Sequence, residues 1–448
     1  MKRIIETIKN IYQIEELRNR IITTLGLILI YRLGSYVVLP GIDSNLLAAE
    51  NQNSSSGLAG LIDIFAGGAF SRASIFALGI MPYISASIVI QLLGMAIPYF
   101  QKMQKEGESG RRRMNQITRL LTIGVVALQA PGYIASYIPA YDSQGLMIRP
   151  DSFFWLFTSV VILITGTMFV MWIGERITER GIGNGISLLI MIGIIANLPF
   201  AFFAEFATRV NSGGLFILLI EIAFLLLVTI ASILLVQGTR KIPIQFAKRI
   251  VGNRQYGGVR QYLPLKVNAA GVMPIIFAQA IMFVPITLAG FADSEQLTGI
   301  TAALSDFTGF WYNFVFAVLI ILFTYFYTAV SVNPNQIAED LKKNGGFIPG
   351  IKPGKKTAEF IDDVMSKITL PGSIFLAIVA ILPAIAAKLG VNMQFAQFYG
   401  GTSLLILVGV LLDTLQQIES YLLMRHYDGL MKSGRIKGRT STGMGVPV

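Results

Sequence analysis

The sequence predicts an all-α membrane protein with ten transmembrane helices arranged as two inverted five-helix halves. Three observations predict it. Apolar residues make up 54% of the 448-residue chain and charged residues only 14%, against roughly 25% charged in soluble domains; too little polar surface is left to cover a water-soluble fold. Ten apolar runs alternate with charged clusters, and each run approaches the ~20 residues a helix needs to cross a ~30 Å hydrocarbon core. Two short motifs recur, each time five runs apart. A soluble enzyme or a disordered chain does not fit this composition. A disulfide-rich module does not either, because the chain has no cysteine.

Residues 1–20 carry both charge signs and lack the apolar core of a cleavable signal peptide. Ile4, Ile5, Ile8, Ile11 and Tyr12 recur at helical spacing. They predict an amphipathic helix lying on the cytoplasmic membrane surface, or packed on a partner. The first span, Ile21 to Leu39, is broken only by Arg32. Segment 40–73 is polar after Pro40, then apolar from Gly57 to Phe65. Leu58, Leu61, Ile62 and Phe65 fall on one helical face, and Gly67 and Gly68 end it. It is too short to span, so it predicts a re-entrant half-helix or a helix on the outer surface. Spans 2 to 5 run from Ala73 to Gln101, Leu120 to Ile138, Phe153 to Gly174 and Gly181 to Phe203. Spans 6 to 10 run from Leu215 to Val236 (with Glu221), Val267 to Phe291, Phe307 to Val332, Ile368 to Ala387 and Phe398 to Met424.

Ten spans put both termini on one side. Of the 36 Lys and Arg, 31 fall in segments 1–20, 99–119, 175–180, 238–266, 333–367 and 425–448. The opposite side holds Arg72, Arg149, Arg209 and Lys388, and Arg32 lies in the membrane. Cytoplasmic loops carry the excess of positive residues, so the 31 face the cytoplasm. The net charge of +11 then resolves into +18 on the cytoplasmic face, −5 outside and −2 within the spans.

Span 2 contains Gly79-Ile80-Met81-Pro82-Tyr83-Ile84 and span 7 contains Gly271-Val272-Met273-Pro274-Ile275-Ile276. Span 5 contains Gly185-Ile186-Ser187-Leu188-Leu189-Ile190 and span 10 contains Gly401-Thr402-Ser403-Leu404-Leu405-Ile406. Two matches at the same offset mark a five-plus-five repeat. Five is odd, so the halves are inverted, an arrangement that places a pathway at their interface. Pro82 and Pro274 each remove a backbone hydrogen bond and predict a bend in span 2 and in span 7. The organisation expected is a cytoplasmic helix 1–20, a first half 21–203, an external hinge loop 204–214, a second half 215–424 and a cytoplasmic tail 425–448.

No catalytic constellation is visible. There is no H-E-x-x-H and no cysteine nucleophile, and Gly350 to Thr357 lacks the spacing of a phosphate-binding loop. Charges within spans are expensive and therefore candidates for function. Arg32, Glu221, Asp413 and Glu419 form no visible relay, which argues against an ion-coupled transporter. Loops 238–266 and 333–367 are long and basic, with glycine and proline between the charges. They predict ordered protrusions that dock an anionic partner; the alternative is that they only fix orientation.

Six stretches carry a resemblance. They are Phe65 to Gln91 (FAGGAFSRASIFALGIMPYISASIVIQ), Lys105 to Arg113 (KEGESGRRR), Gly166 to Ser187 (GTMFVMWIGERITERGIGNGIS), Leu263 to Pro274 (LPLKVNAAGVMP), Phe347 to Gly354 (FIPGIKPG) and Gly400 to Ile406 (GGTSLLI). The chain resembles, essentially end to end, the SecY/Sec61-alpha family of protein-conducting channels. The resemblance implies a central pore for unfolded preproteins, with lateral release of transmembrane segments and their signal peptides into membrane lipid. It implies a pore ring of Ile80, Ile84, Ile190, Ile276 and Ile406, and a plug over 57–71 that includes Leu58, Leu61, Ile62, Phe65, Gly67 and Gly68. It implies polar lateral-gate residues at Gln91 and Asn268. The docking loops would meet the SecA motor ATPase or a ribosome through Arg240, Lys248, Arg249, Arg254, Lys342, Lys343, Lys352, Lys355 and Lys356. The small membrane subunits SecE and SecG would be partners, in the bacterial cytoplasmic membrane. No cofactor and no enzymatic activity are implied. Two positions depart from the family: Lys352, where an arginine is usual, and Asn253, where a basic residue is common.

Overall fold

The computed structural model describes residues 14–47, 63–141, 145–211, 213–246, 249–251, 254–256, 260–289, 306 and 308–432. Most of the expected N-terminal helix, the expected plug residues Leu58, Leu61 and Ile62, the expected docking residue Lys248 and residues 433–448 lie outside the described residues.

The first half contains α1 (Glu15–Gly34), α2 (Met81–Ala96), α3 (Pro98–Lys105), α4 (Glu108–Tyr137), α5 (Phe153–Arg180) and α6 (Gly185–Asn211). The second half opens with α7 (Leu215–Gln237) and a set of strands: β1 (Thr239–Phe246), β2 (Arg249–Val251), β3 (Arg254–Tyr256) and β4 (Arg260–Lys266). It continues with α8 (Met273–Ala289), α9 (Phe310–Ser331), α10 (Pro334–Lys343), β5 (Gly346–Phe347), α11 (Lys355–Lys388), α12 (Met393–Ala396) and α13 (Gly401–Lys432). Each of the ten expected spans therefore has its helix. Among the described residues seven are long and apolar enough by themselves to cross a membrane, and α2 with α3, bent by 101° at the break between them, makes an eighth when the two are counted as one span. The other two are short of that measure for visible reasons. Helix α1 carries Glu15, Glu16, Arg18, Arg20 and Arg32, and α8 has only 17 residues.

The helices are dressed for lipid. Leu128, Phe153 and Phe216 are 75–82% exposed, whereas Thr122, Ser159, Glu205 and Ser373 are at most 1% exposed. Apolar groups outside and polar groups between helices is the arrangement a hydrocarbon solvent favours.

Three differences from the expected organisation have local causes. Helix α6 continues to Asn211, so most of the expected hinge loop 204–214 is helical; Glu205 and Arg209 are spaced to pair along it. Helix α5 runs to Arg180 and absorbs the short loop 175–180. Pro82 and Pro274 do not bend a helix from within. Each is the second residue of its helix, where the missing N–H has no intrahelical acceptor to lose. The chain before each helix is turned instead.

The basic loops build one small folded unit. Strand β1 pairs antiparallel with β4, Arg240 opposite Leu265, and its far end pairs with β5, Gln245 opposite Phe347. In β1, Ile242 and Ile244 point inward while Lys241 and Pro243 point to solvent, the period-two alternation of a half-buried strand. Ile242 shares an apolar cluster with Leu265, Ile348, Ile361 and Met365. The sheet thus rests on the first turns of α11. That helix has 34 residues, about 51 Å at ~1.5 Å per residue, enough to run from this unit through a membrane.

Candidate pore site

Four helices begin at the repeat motifs. Gly79 and Gly271 have φ of 53° and 63°, a left-handed conformation that glycine adopts without a Cβ clash. Each lets the chain turn just before Met81-Pro82 and Met273-Pro274 open α2 and α8. Helices α6 and α13 start at Gly185 and Gly401. Asn184 Oδ1 accepts from the Ile186 and Ser187 N–H groups at 3.1 and 3.3 Å, capping α6. The Ser403 hydroxyl donates to the Gln397 carbonyl at 2.6 Å and fixes the start of α13.

These starts deliver the isoleucines to one place. Ile80, Ile190 and Ile406 are 4–5% exposed and belong to one apolar cluster with Ile64, Phe65, Leu188 and Leu189. Ile84 and Ile276 pack against the same cluster. All five expected ring residues thus belong to or pack on one extended apolar cluster, reached from α2 and the residue before it, α6, α8 and α13.

The described plug residues Phe65, Gly67 and Gly68 are buried in a turn at 63–72, with Phe65 in the isoleucine cluster. Asp63 Oδ1 accepts from the Ser71 N–H at 2.8 Å. Of the lateral-gate residues, Gln91 is half-buried and Asn268 is buried. The Asn268 Oδ1 atom has no hydrogen-bond partner among the described residues. The expected docking residues Arg240, Lys342, Lys343, Lys352, Lys355 and Lys356 are all exposed. Arg249 and Arg254 lie in β2 and β3, whose side chains fall outside the description.

Sequence reasoning missed the joints between the halves. Arg209 Nε donates to Glu205 Oε1 at 2.7 Å, and its Nη2 reaches Glu221 Oε1 at 2.5 Å and the Gly390 carbonyl at 2.8 Å. Glu205 Oε2 accepts from the Asn392 N–H at 2.8 Å. At the other end of α6, the Gly183 N–H donates to Gln417 Oε1 at 2.9 Å. Glu221 and Arg209 were both legible as charges, and the i, i+4 spacing of Glu205 and Arg209 was the available signal. Arg32, an intramembrane charge with no relay partner visible in the sequence, pairs with backbone: its Nη1 donates to the Gly67 carbonyl at 3.0 Å.

A family model described as SecY matches residues 74–415. The protein translocase subunit SecY of Streptomyces scabiei is 42% identical over 431 residues, covering 94% of this chain and 98% of that one. The SecY subunit of Chlamydia trachomatis is also 42% identical, covering 97% of this chain and 99% of that one. A solved structure described as that of a protein conducting channel superposes with a TM-score of 0.64 over 94% of this chain and 95% of that one. Its 16% identity makes it a likeness of fold. Sec61 in the canine ribosome-channel complex has the same fold at a TM-score of 0.60, 16% identity and the same coverage.

Proposed function

The chain belongs to the SecY family, and we infer from its geometry how it serves as the protein-conducting channel subunit of a translocase. Unfolded preproteins pass between the two halves through the isoleucine constriction, and transmembrane segments leave sideways past Gln91 and Asn268 into lipid. The observation that carries this reading is the single apolar cluster that collects Ile80, Ile190 and Ile406 with Ile84 and Ile276 from both halves. Aliphatic side chains exclude water and ions at rest. They also offer a passing chain no hydrogen bond or charge at which to stall. Of the proposed plug, the described residue Phe65 lies in the same apolar cluster as the isoleucines, which supports a plug seated against the ring.

The channel lies in the bacterial cytoplasmic membrane with both termini in the cytoplasm, where the +18 face also points. The exposed lysines and Arg240 on the sheet unit dock a ribosome or the SecA motor, which supplies the energy. The canine relative, held in a ribosome-channel complex, supports the ribosome as one partner. SecE and SecG pack on the apolar flanks.

The cysteine-free chain makes the reading testable. A single cysteine at position 84, 190 or 406 is expected to form a disulfide with a cysteine in a stalled secretory precursor. Absence of any such crosslink, together with saturable uptake of a small solute, would overturn it.

A further inference from the structure

We propose that Arg32 and Arg72 clamp the carbonyl of Gly67 and so position the turn 63–72 against α6 and the isoleucine ring, with Gly193 as the surface that receives it. The proposal rests on the channel reading above. A guanidinium within a span is costly to bury in hydrocarbon, so its presence in the last turn of α1 requires a partner. That partner is a backbone carbonyl 35 residues further on. Arg32 Nη1 donates to it at 3.0 Å and Arg72 Nη2 at 3.4 Å. Hydrogen bonds from an ionised donor are roughly twice as strong as neutral ones.

Two cations on one carbonyl repel each other, and Tyr36 answers that. Its ring lies 5.7 Å from the Arg32 guanidinium carbon and 4.3 Å from that of Arg72. The negative face of an aromatic ring attracts both. On the other side of the turn the backbone of α6 comes unusually close. A Cβ at Gly193 would lie 2.6 Å from the Phe65 carbonyl oxygen and 3.2 Å from the Gly67 nitrogen. Within the turn, the Gly68 N–H donates to the Asp63 carbonyl at 2.8 Å. Held from both sides, the turn seats Ile64 and Phe65 in the cluster that contains the ring.

The test uses the full chain in its assembled complex, reconstituted in vesicles. Ala66, 2% exposed, is replaced by cysteine, and labelling by a membrane-impermeant maleimide is followed. In the otherwise unchanged chain the thiol is expected to be protected. Adding Arg32→Ala is expected to raise the labelling rate severalfold, and Arg32→Lys is expected to recover part of the protection. If Arg32→Ala does not assemble, Gly193→Ala carries the test. It keeps both arginines but lifts the turn, and the same gain in labelling is expected. Unchanged labelling in every variant that assembles overturns the clamp. Failure of the channel reading is separable. Serines at 190 and 406 would then leave the resting ion leak unchanged, while the thiol at 66 would still respond to Arg32→Ala.

Discussion

Ile190 lies six residues into α6, 4% exposed, among isoleucines drawn from other helices. Its value lies in what it lacks: no donor, no acceptor and no charge. In the proposed ring, replacing one member leaves the others to exclude water, whereas replacing two from facing halves opens a polar track. Ile190→Ser combined with Ile406→Ser is therefore expected to raise the resting ion conductance of channels in a planar bilayer. A double variant as tight as the parent would remove the ring from the seal. Arg32 is the opposite kind of residue, a charge where apolar side chains are cheap. Its cost is offset by the Gly67 carbonyl and the Tyr36 ring.

At the scale of elements, α6 is the joint of the molecule. It bonds to the second half near both of its ends, through Gly183 and Gln417 and through Glu205, Arg209, Glu221, Gly390 and Asn392. Glu205 is fully buried, and the Arg209 and Glu221 side chains are 13% and 8% exposed. Removing one member of such a group leaves a buried charge uncompensated, which costs about 3–5 kcal/mol. Arg209→Met is expected to lower the thermal unfolding midpoint of the purified complex in detergent. Neutralising the whole group with Glu205→Gln, Arg209→Met and Glu221→Gln is expected to restore much of the loss, because no lone charge remains. A triple variant less stable than the single one would show that these groups hold the joint by geometry rather than by charge.

At the scale of the whole molecule, the charge distribution and the fold converge on one face. The sheet of β4, β1 and β5 presents exposed basic residues and is founded on α11 through Ile361 and Met365. That helix continues for 34 residues, from the sheet unit into the spans. Under the proposed docking, replacing Lys342, Lys343, Lys355 and Lys356 by glutamate is expected to weaken ribosome binding. It is also expected to make the affinity fall less steeply with salt, since each lost phosphate contact takes away its released counterions. Equal affinity and an equal salt slope in the variant would assign these lysines to orientation alone. Lys356 also pairs with Glu359 at 3.1 Å, but both side chains are more than half exposed, and such pairs contribute little.

Much of this was legible in one dimension. Span number, inversion of the halves and the side on which the positives lie follow from local hydropathy and from the parity of a count. Each residue contributes to those independently of its neighbours in space. The repeat motifs even marked where four helices begin, although Pro82 and Pro274 proved to start helices rather than bend them. What only the tertiary structure decided is who meets whom. Arg32 finds a carbonyl 35 residues away, Glu205 an N–H 187 residues away, and β1 a strand from a different loop. Such partners depend on how helices cross and how closely glycine lets backbones approach. No composition, period or spacing along a chain encodes that distance directly. The sequence alone therefore determined a ten-span inverted repeat with its positive residues gathered on one face, and packing alone decided which of its few buried charges became joints.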